Sequence, residues 1–158
     1  MTAHARPSWP RRLTALVVAL LVAAAWGTLV QTQFNLQALA PFVDIPPAVR
    51  LTTSLQDLLD YGPVQLALVA AAWLPAFPTA MWLSRRWPQL RMALYALAGG
   101  IGLVVAIRIA DMVAPMPVLI DATRGLGGLL AIAAGSALGG GLFAYWTRLR
   151  PDRRRSAS

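Results

Sequence analysis

The stretch MALYALAGGIGLVVAIRIADMV, residues 92–113, decides the fold. At about 1.5 Å per helical residue it is long enough to cross a hydrocarbon core of about 30 Å. Its only charges are Arg108 and Asp111, three apart and therefore on one helix face. Apolar side chains surround the rest of the helix on every side, the pattern of a segment buried in lipid. Counted from Met92, Arg108 lies about 24 Å across that core of about 30 Å, in the leaflet opposite the start of the span.

Three more stretches read in the same way: residues 13–30, 64–83 and 125–146. Apolar residues make up 58% of the 158-residue chain and charged residues only 13%, which no soluble domain of this size could bury. The connections at 84–91 and 114–124 are too short for anything but antiparallel neighbours. The expected fold class is an all-α integral membrane protein, an antiparallel four-helix transmembrane bundle over residues 13–147. A basic tail over 1–12 precedes it and an Arg-rich tail over 148–158 follows it.

Charge sets the orientation. All 14 basic residues are Arg and all six acidic residues are Asp. Arg6, Arg11 and Arg12, then Arg85, Arg86 and Arg91, then Arg148, Arg150, Arg153, Arg154 and Arg155 fall on one side of the four-span arrangement. Arg50 and Arg124 face Asp44, Asp57, Asp60 and Asp121 on the other. The positive-inside rule then makes both termini cytoplasmic in a bacterial-type plasma (inner) membrane. Trp9, Trp82, Trp87, Tyr145 and Trp146 cluster at the cytoplasmic ends as an interfacial belt. A competing reading takes Arg11-Arg12, the apolar run and Ala23-Ala24-Ala25 as a cleaved secretory signal. The apolar run of about 18 residues exceeds the roughly 7–15 of a signal core, so an uncleaved span is expected.

The same inventory excludes chemistry. Without Lys there is no Schiff base, and without Cys there is neither a thiol nucleophile nor an iron–sulfur ligand. The single His4 lies in the tail, so no bis-histidine haem site forms across the bilayer. No metal-ligand spacing, phosphate loop or Ser/His/Asp set is visible. No cofactor, no enzymatic activity and no nucleic-acid partner are expected. The net charge of +8 reflects topology instead.

Three features carry the remaining information. Small residues recur every fourth position at Ala98, Gly102, Ala106 and Ala110, and again at Gly127, Ala131, Gly135 and Gly139. These stripes let backbones approach closely, and the short connection suggests that spans three and four pack on each other through them, a homodimer seam being the alternative. Pro75 and Pro78 each delete a helix hydrogen bond, so span two is expected to kink.

The third feature is a polar cluster on the outer side. Gln31, Gln33, Asn35 and Gln37 alternate as if in a short extended stretch at the start of the outer loop, residues 31–63, a helical continuation of the first span being the alternative. Residues 48–61 read as a short amphipathic helix started by Pro46-Pro47 and stopped by Gly62-Pro63. Asp57, Asp60, Asp121, Arg124, Gln31 and Gln33 are expected to gather around Arg108 and Asp111. Ionisable side chains within a span are a functional hypothesis by default, weighed here against a structural ion pair.

The expected function is a small non-enzymatic accessory, assembly or scaffold subunit of a larger membrane complex. The alternative is a homo-oligomeric transporter or channel component using the Arg108/Asp111 cluster. Expected partners are the bilayer, anionic lipids at the cytoplasmic face through Arg148 and the arginines after it, and a larger complex or further copies of the chain.

Overall fold

The structure, a computed structural model, describes residues 8–113 and 121–148. The expectations for the tails over 1–7 and 149–158 and for the loop 114–120 lie outside the described residues. Five α-helices form: α1 Trp9–Leu39, α2 Pro47–Asp60, α3 Gly62–Arg86, α4 Arg91–Val113 and α5 Leu126–Trp146. Short 3₁₀ turns at Pro88–Leu90 and Asp121–Arg124 precede α4 and α5. Helices α1, α3, α4 and α5 are each long and apolar enough to cross a membrane. The fold is an all-helical four-helix membrane bundle, with no strand among the described residues.

Prolines open three of the helices. Pro10, Pro47 and Pro63 sit at the first or second helical position, where the missing N–H costs nothing. Tyr61 ends α2 and starts α3, so the two helices turn at a single corner, with Tyr61 N bonded to the Asp57 carbonyl at 2.8 Å.

The four long helices form a ring in which each packs against two neighbours: α1 against α3 and α5, and α4 against α3 and α5. Helix α2 leans on α1 and α3. The interior is solid. Val69, Leu103, Ile107 and Ile132 are fully buried. Toward the end that carries Arg86, Arg91 and Arg148, the Trp73 and Phe77 rings stack at 4.3 Å, and Tyr95 and Phe143 close on Phe77 at 5.2 and 5.3 Å. Each such pair contributes about 0.5–1.5 kcal/mol beyond its buried area. Lipid gives apolar helices no reason to leave it, so this interlocking holds the bundle together.

Two local expectations are revised. The alternating amides 31–37 are helical, because α1 continues without a break to Leu39. Thr28, Gln31, Thr32 and Leu36 recur at helical spacing on its buried side, and that inward stripe outweighs the two-residue alternation. Helix α3 is continuous from Gly62 to Arg86 through Pro75 and Pro78. Both prolines are exposed, so their rings point outward, away from the interior.

The small-residue stripes also meet different neighbours from those expected. A side chain on Gly102 would press on α3, at 3.0 Å from Ala76 Cβ. One on Gly139 would meet α1, at 2.8 Å from the Ala19 carbonyl, and one on Gly135 would strike Trp26 of α1. Gly127 is open, with no atom within 4 Å of where its Cβ would stand. The contact between α4 and α5 instead uses Gly99, which a Cβ would bring to 2.5 Å from the Ser136 carbonyl, and Gly140, which lies on the Tyr95 backbone. The physical reason is the ring. Each helix has two neighbours and needs two narrow faces, and α4 and α5 carry small residues on both.

Candidate functional site

Away from the arginine-rich end, where Thr147 is buried beside Arg91, polar side chains tie the helices together in two groups. The first crosses its middle. Trp73 Nε1 on α3 donates to Ser136 Oγ on α5 at 2.9 Å, and Ser136 Oγ donates to the Gly99 carbonyl on α4 at 2.8 Å. Trp26 Nε1 on α1 donates to the Ala131 carbonyl on α5 at 2.9 Å. The buried Trp73 indole thereby pairs its one donor, which would be costly left unpaired, and the outward-facing Trp26 indole pairs its own across the helix seam.

The second group caps the bundle beside α2. Helix α2 presents Arg50, Ser54, Asp57 and Tyr61 along one face at spacings of four, three and four residues, and this face packs inward. Gln33 Nε2 donates to Ser54 Oγ at 3.0 Å, and Arg50 Nη1 approaches Gln33 Oε1 at 3.5 Å. Thr32 Oγ1 stands 2.7 Å from Asp57 Oδ2 and 2.9 Å from the Thr28 carbonyl. Gln31 Oε1 accepts the backbone N–H of Ala122 at 3.0 Å, so α1 also holds the turn that leads into α5. Leu51, Leu55 and Leu59 form the outward ridge of α2. The polar side of this amphipathic helix therefore grips the bundle while its apolar side faces away, the placement of a helix lying at a membrane surface.

Below this cap Tyr61 donates to Gln65 Oε1 at 3.4 Å, and burial pushes the Tyr61 phenol up, keeping it protonated. Gln65 is completely buried and rests on Gly27, where any side chain would collide with its amide. Gln65 Nε2 and Thr28 Oγ1 are buried without a hydrogen-bond partner among the described residues. The cap offers hydrogen bonding and one carboxylate. The Thr32 hydroxyl contacts that carboxylate, and no three acidic or imidazole groups converge among the described residues.

The members of the expected outer cluster lie on several elements. Gln31, Gln33 and Asp57 enter the cap with Thr28, Thr32, Ser54 and Gln65. Arg108 and Asp111 stand on α4, whose neighbours are α3 and α5, whereas α2 leans on α1 and α3. Arg108 is exposed and Asp111 half-buried. Asp60 and Arg124 are exposed, and the side chain of Asp121 lies outside the described part. Asp111 and Arg124 are both engaged in interactions.

On α4, Leu97, Ile101, Val105, Arg108 and Met112 follow one another at three- and four-residue spacing, and all are exposed. Arg108 is thus a charge set in an otherwise apolar, outward stripe. Beside that stripe a trough of about 530 Å³ runs between α3 and α4, floored by Ala72, Ala76, Ala98 and Gly102.

Fold and site define a multi-pass membrane protein whose polar groups brace its own helices. No protein-family model, curated protein or solved structure matches the chain. Sequence reasoning missed Thr28, Thr32, Ser54 and Gln65. The signal was present: Thr28, Gln31, Thr32 and Asn35 recur at helical spacing on α1, and Ser54 shares a face with Arg50 and Asp57.

Proposed function

We propose that the chain is a non-enzymatic accessory or scaffold subunit of a larger membrane complex, docking through the outward face of α4. The observation that carries this reading is Arg108 in its apolar stripe. A charge facing hydrocarbon is costly, by about 2.5–3.5 kcal/mol at mid-bilayer and less toward the surface. A carboxylate or carbonyl on a neighbouring transmembrane helix would remove that cost. The trough of small residues beside the stripe has the shape that lets such a helix approach. The filled interior, with Leu103, Ile107 and Ile132 at its centre, supports a bracing role over conduction through one copy. The bundle belongs in a bacterial-type inner membrane with its arginine-rich end toward the cytoplasm.

The test is native purification in mild detergent of the wild-type chain and of Arg108→Ala. The expected result is a stoichiometric membrane partner that Arg108→Ala loses while its own accumulation holds. A chain that purifies only with copies of itself, and moves solute when placed in vesicles, would overturn the proposal in favour of a transporter.

A further inference from the structure

A second groove, of about 750 Å³, lies between α4 and α5 on the other flank of α4 from the trough. Small residues on both helices, Ala93, Ala96, Ala134, Ala137 and Gly141, leave the space between them open along the surface. From Ala134 to Tyr145 it extends about 16 Å along the helix axis, about the depth of one leaflet. One end opens toward mid-bilayer. The other ends at Met92 and Tyr145, where Arg148 stands over the Tyr145 ring at 5.3 Å and touches the Met92 sulfur. Arg91 adds a second positive charge. Its Nη2 donates to Thr147 Oγ1 at 2.6 Å, and its guanidinium stacks on Tyr95 at 5.2 Å. Thr147 adjoins Arg148 in the chain, so Arg148 stands at the mouth of an apolar slot about one leaflet long and Arg91 is held at the same end of the bundle.

We propose that this groove binds one anionic phospholipid, with an acyl chain along the slot and the headgroup phosphate at Arg148, near Arg91. The shape and the charge select the same molecule. A slot open along its length to the membrane admits a hydrocarbon chain from the side, and its small floor residues allow contact over much of the chain. The aromatic and hydroxyl contacts orient the two guanidinium groups before the lipid arrives, reducing the side-chain freedom lost on binding. A guanidinium is the cation best matched to phosphate oxygens, which it can engage through two parallel hydrogen bonds. The site is separate from the Arg108 face and does not depend on the accessory role.

The experiment is native mass spectrometry of the full chain released from mixed bilayers of phosphatidylglycerol and phosphatidylcholine. One phosphatidylglycerol should remain bound, favoured by about fivefold for each arginine that engages it. Gly141→Leu fills the slot without striking backbone, since a Cβ there meets only Ala96 Cβ at 3.9 Å. It should remove the bound lipid while thermal unfolding is unchanged. Arg148→Gln should keep an acyl chain in the groove and lose the preference for phosphatidylglycerol. Equal retention of the two lipids by the wild type and both variants would mean annular lipid only, and would overturn the proposal. So would oxidation of a Leu138→Cys variant to a disulfide dimer in the bilayer, which would place a second copy over the groove. The chain has no cysteine of its own to confuse that reading.

Discussion

The indole N–H of Trp73 on α3 reaches Ser136 Oγ on α5 at 2.9 Å, and through that hydroxyl a third helix is tied in at the Gly99 carbonyl. Ser136→Ala leaves the indole donor buried and unpaired. The expected loss of stability is about 1 kcal/mol, between the small interhelical values found in membranes and the larger cost of an orphaned donor. Reversible unfolding in mixed micelles measures it. Combining Ser136→Ala with Trp73→Phe should cost less than the two single changes added together, because the phenyl ring has no donor to strand. Additive losses would show that the hydrogen bond contributes nothing.

Gly135 and Gly141 lie six residues apart on α5 and should respond oppositely to Leu. At Gly135 a side chain runs into Trp26, whose Nε1 is bonded to the Ala131 carbonyl one turn earlier on the same helix. Displacing that ring loses packing and the hydrogen bond together, an expected cost of about 2–3 kcal/mol. Gly141→Leu should stay within about 0.5 kcal/mol of wild type. Folded yield and melting temperature in detergent compare them, and equal tolerance would contradict the packing described for α1 and α5.

Thr32 holds α2 through Asp57. Thr32→Val keeps the shape of the side chain and removes the donor, an expected cost of about 1 kcal/mol concentrated in α2. Hydrogen exchange should speed up across Pro47–Asp60 by about fivefold, while α5 keeps its protection. Uniform acceleration in both helices would show that α2 is not separately tethered.

Topology is open to direct measurement. Reporter fusions after Arg86 and after Ser158 should both score cytoplasmic, and a fusion at Ala48 external. A cytoplasmic signal at Ala48 would reject the four-span arrangement. A mature chain beginning at Trp26 would instead identify the first span as a cleaved signal.

The helices were largely legible because each depends on a property of its own segment. Residues 92–113 had to be a span from length and polarity alone, and α4 begins at Arg91 and runs through them. Pro47 announced α2, which begins there. The cap was harder to read. Gln31 and Gln33 stood out as amides among apolar residues, but Gln65 lies some thirty residues away in the sequence and meets α1 only because α2 folds the chain back at Tyr61. The two-residue alternation at Gln31–Gln37 misled because helical and extended spacings coincide over so few residues.

Bilayer thickness acts on one segment at a time, so, although α1 runs well past its apolar stretch to Leu39, the number and rough position of the apolar helices followed from the sequence by itself. The choice of neighbours did not. Gly102 marks a narrow face of α4, and Gly135 and Gly139 one of α5, yet nothing in either helix states whether that face meets the other or a third. Lipid and protein are equally apolar there, and the decision falls to shape, made between whole surfaces once four helices close into a ring. That closure put Trp26 over Gly135 and placed Gly99 on Ser136.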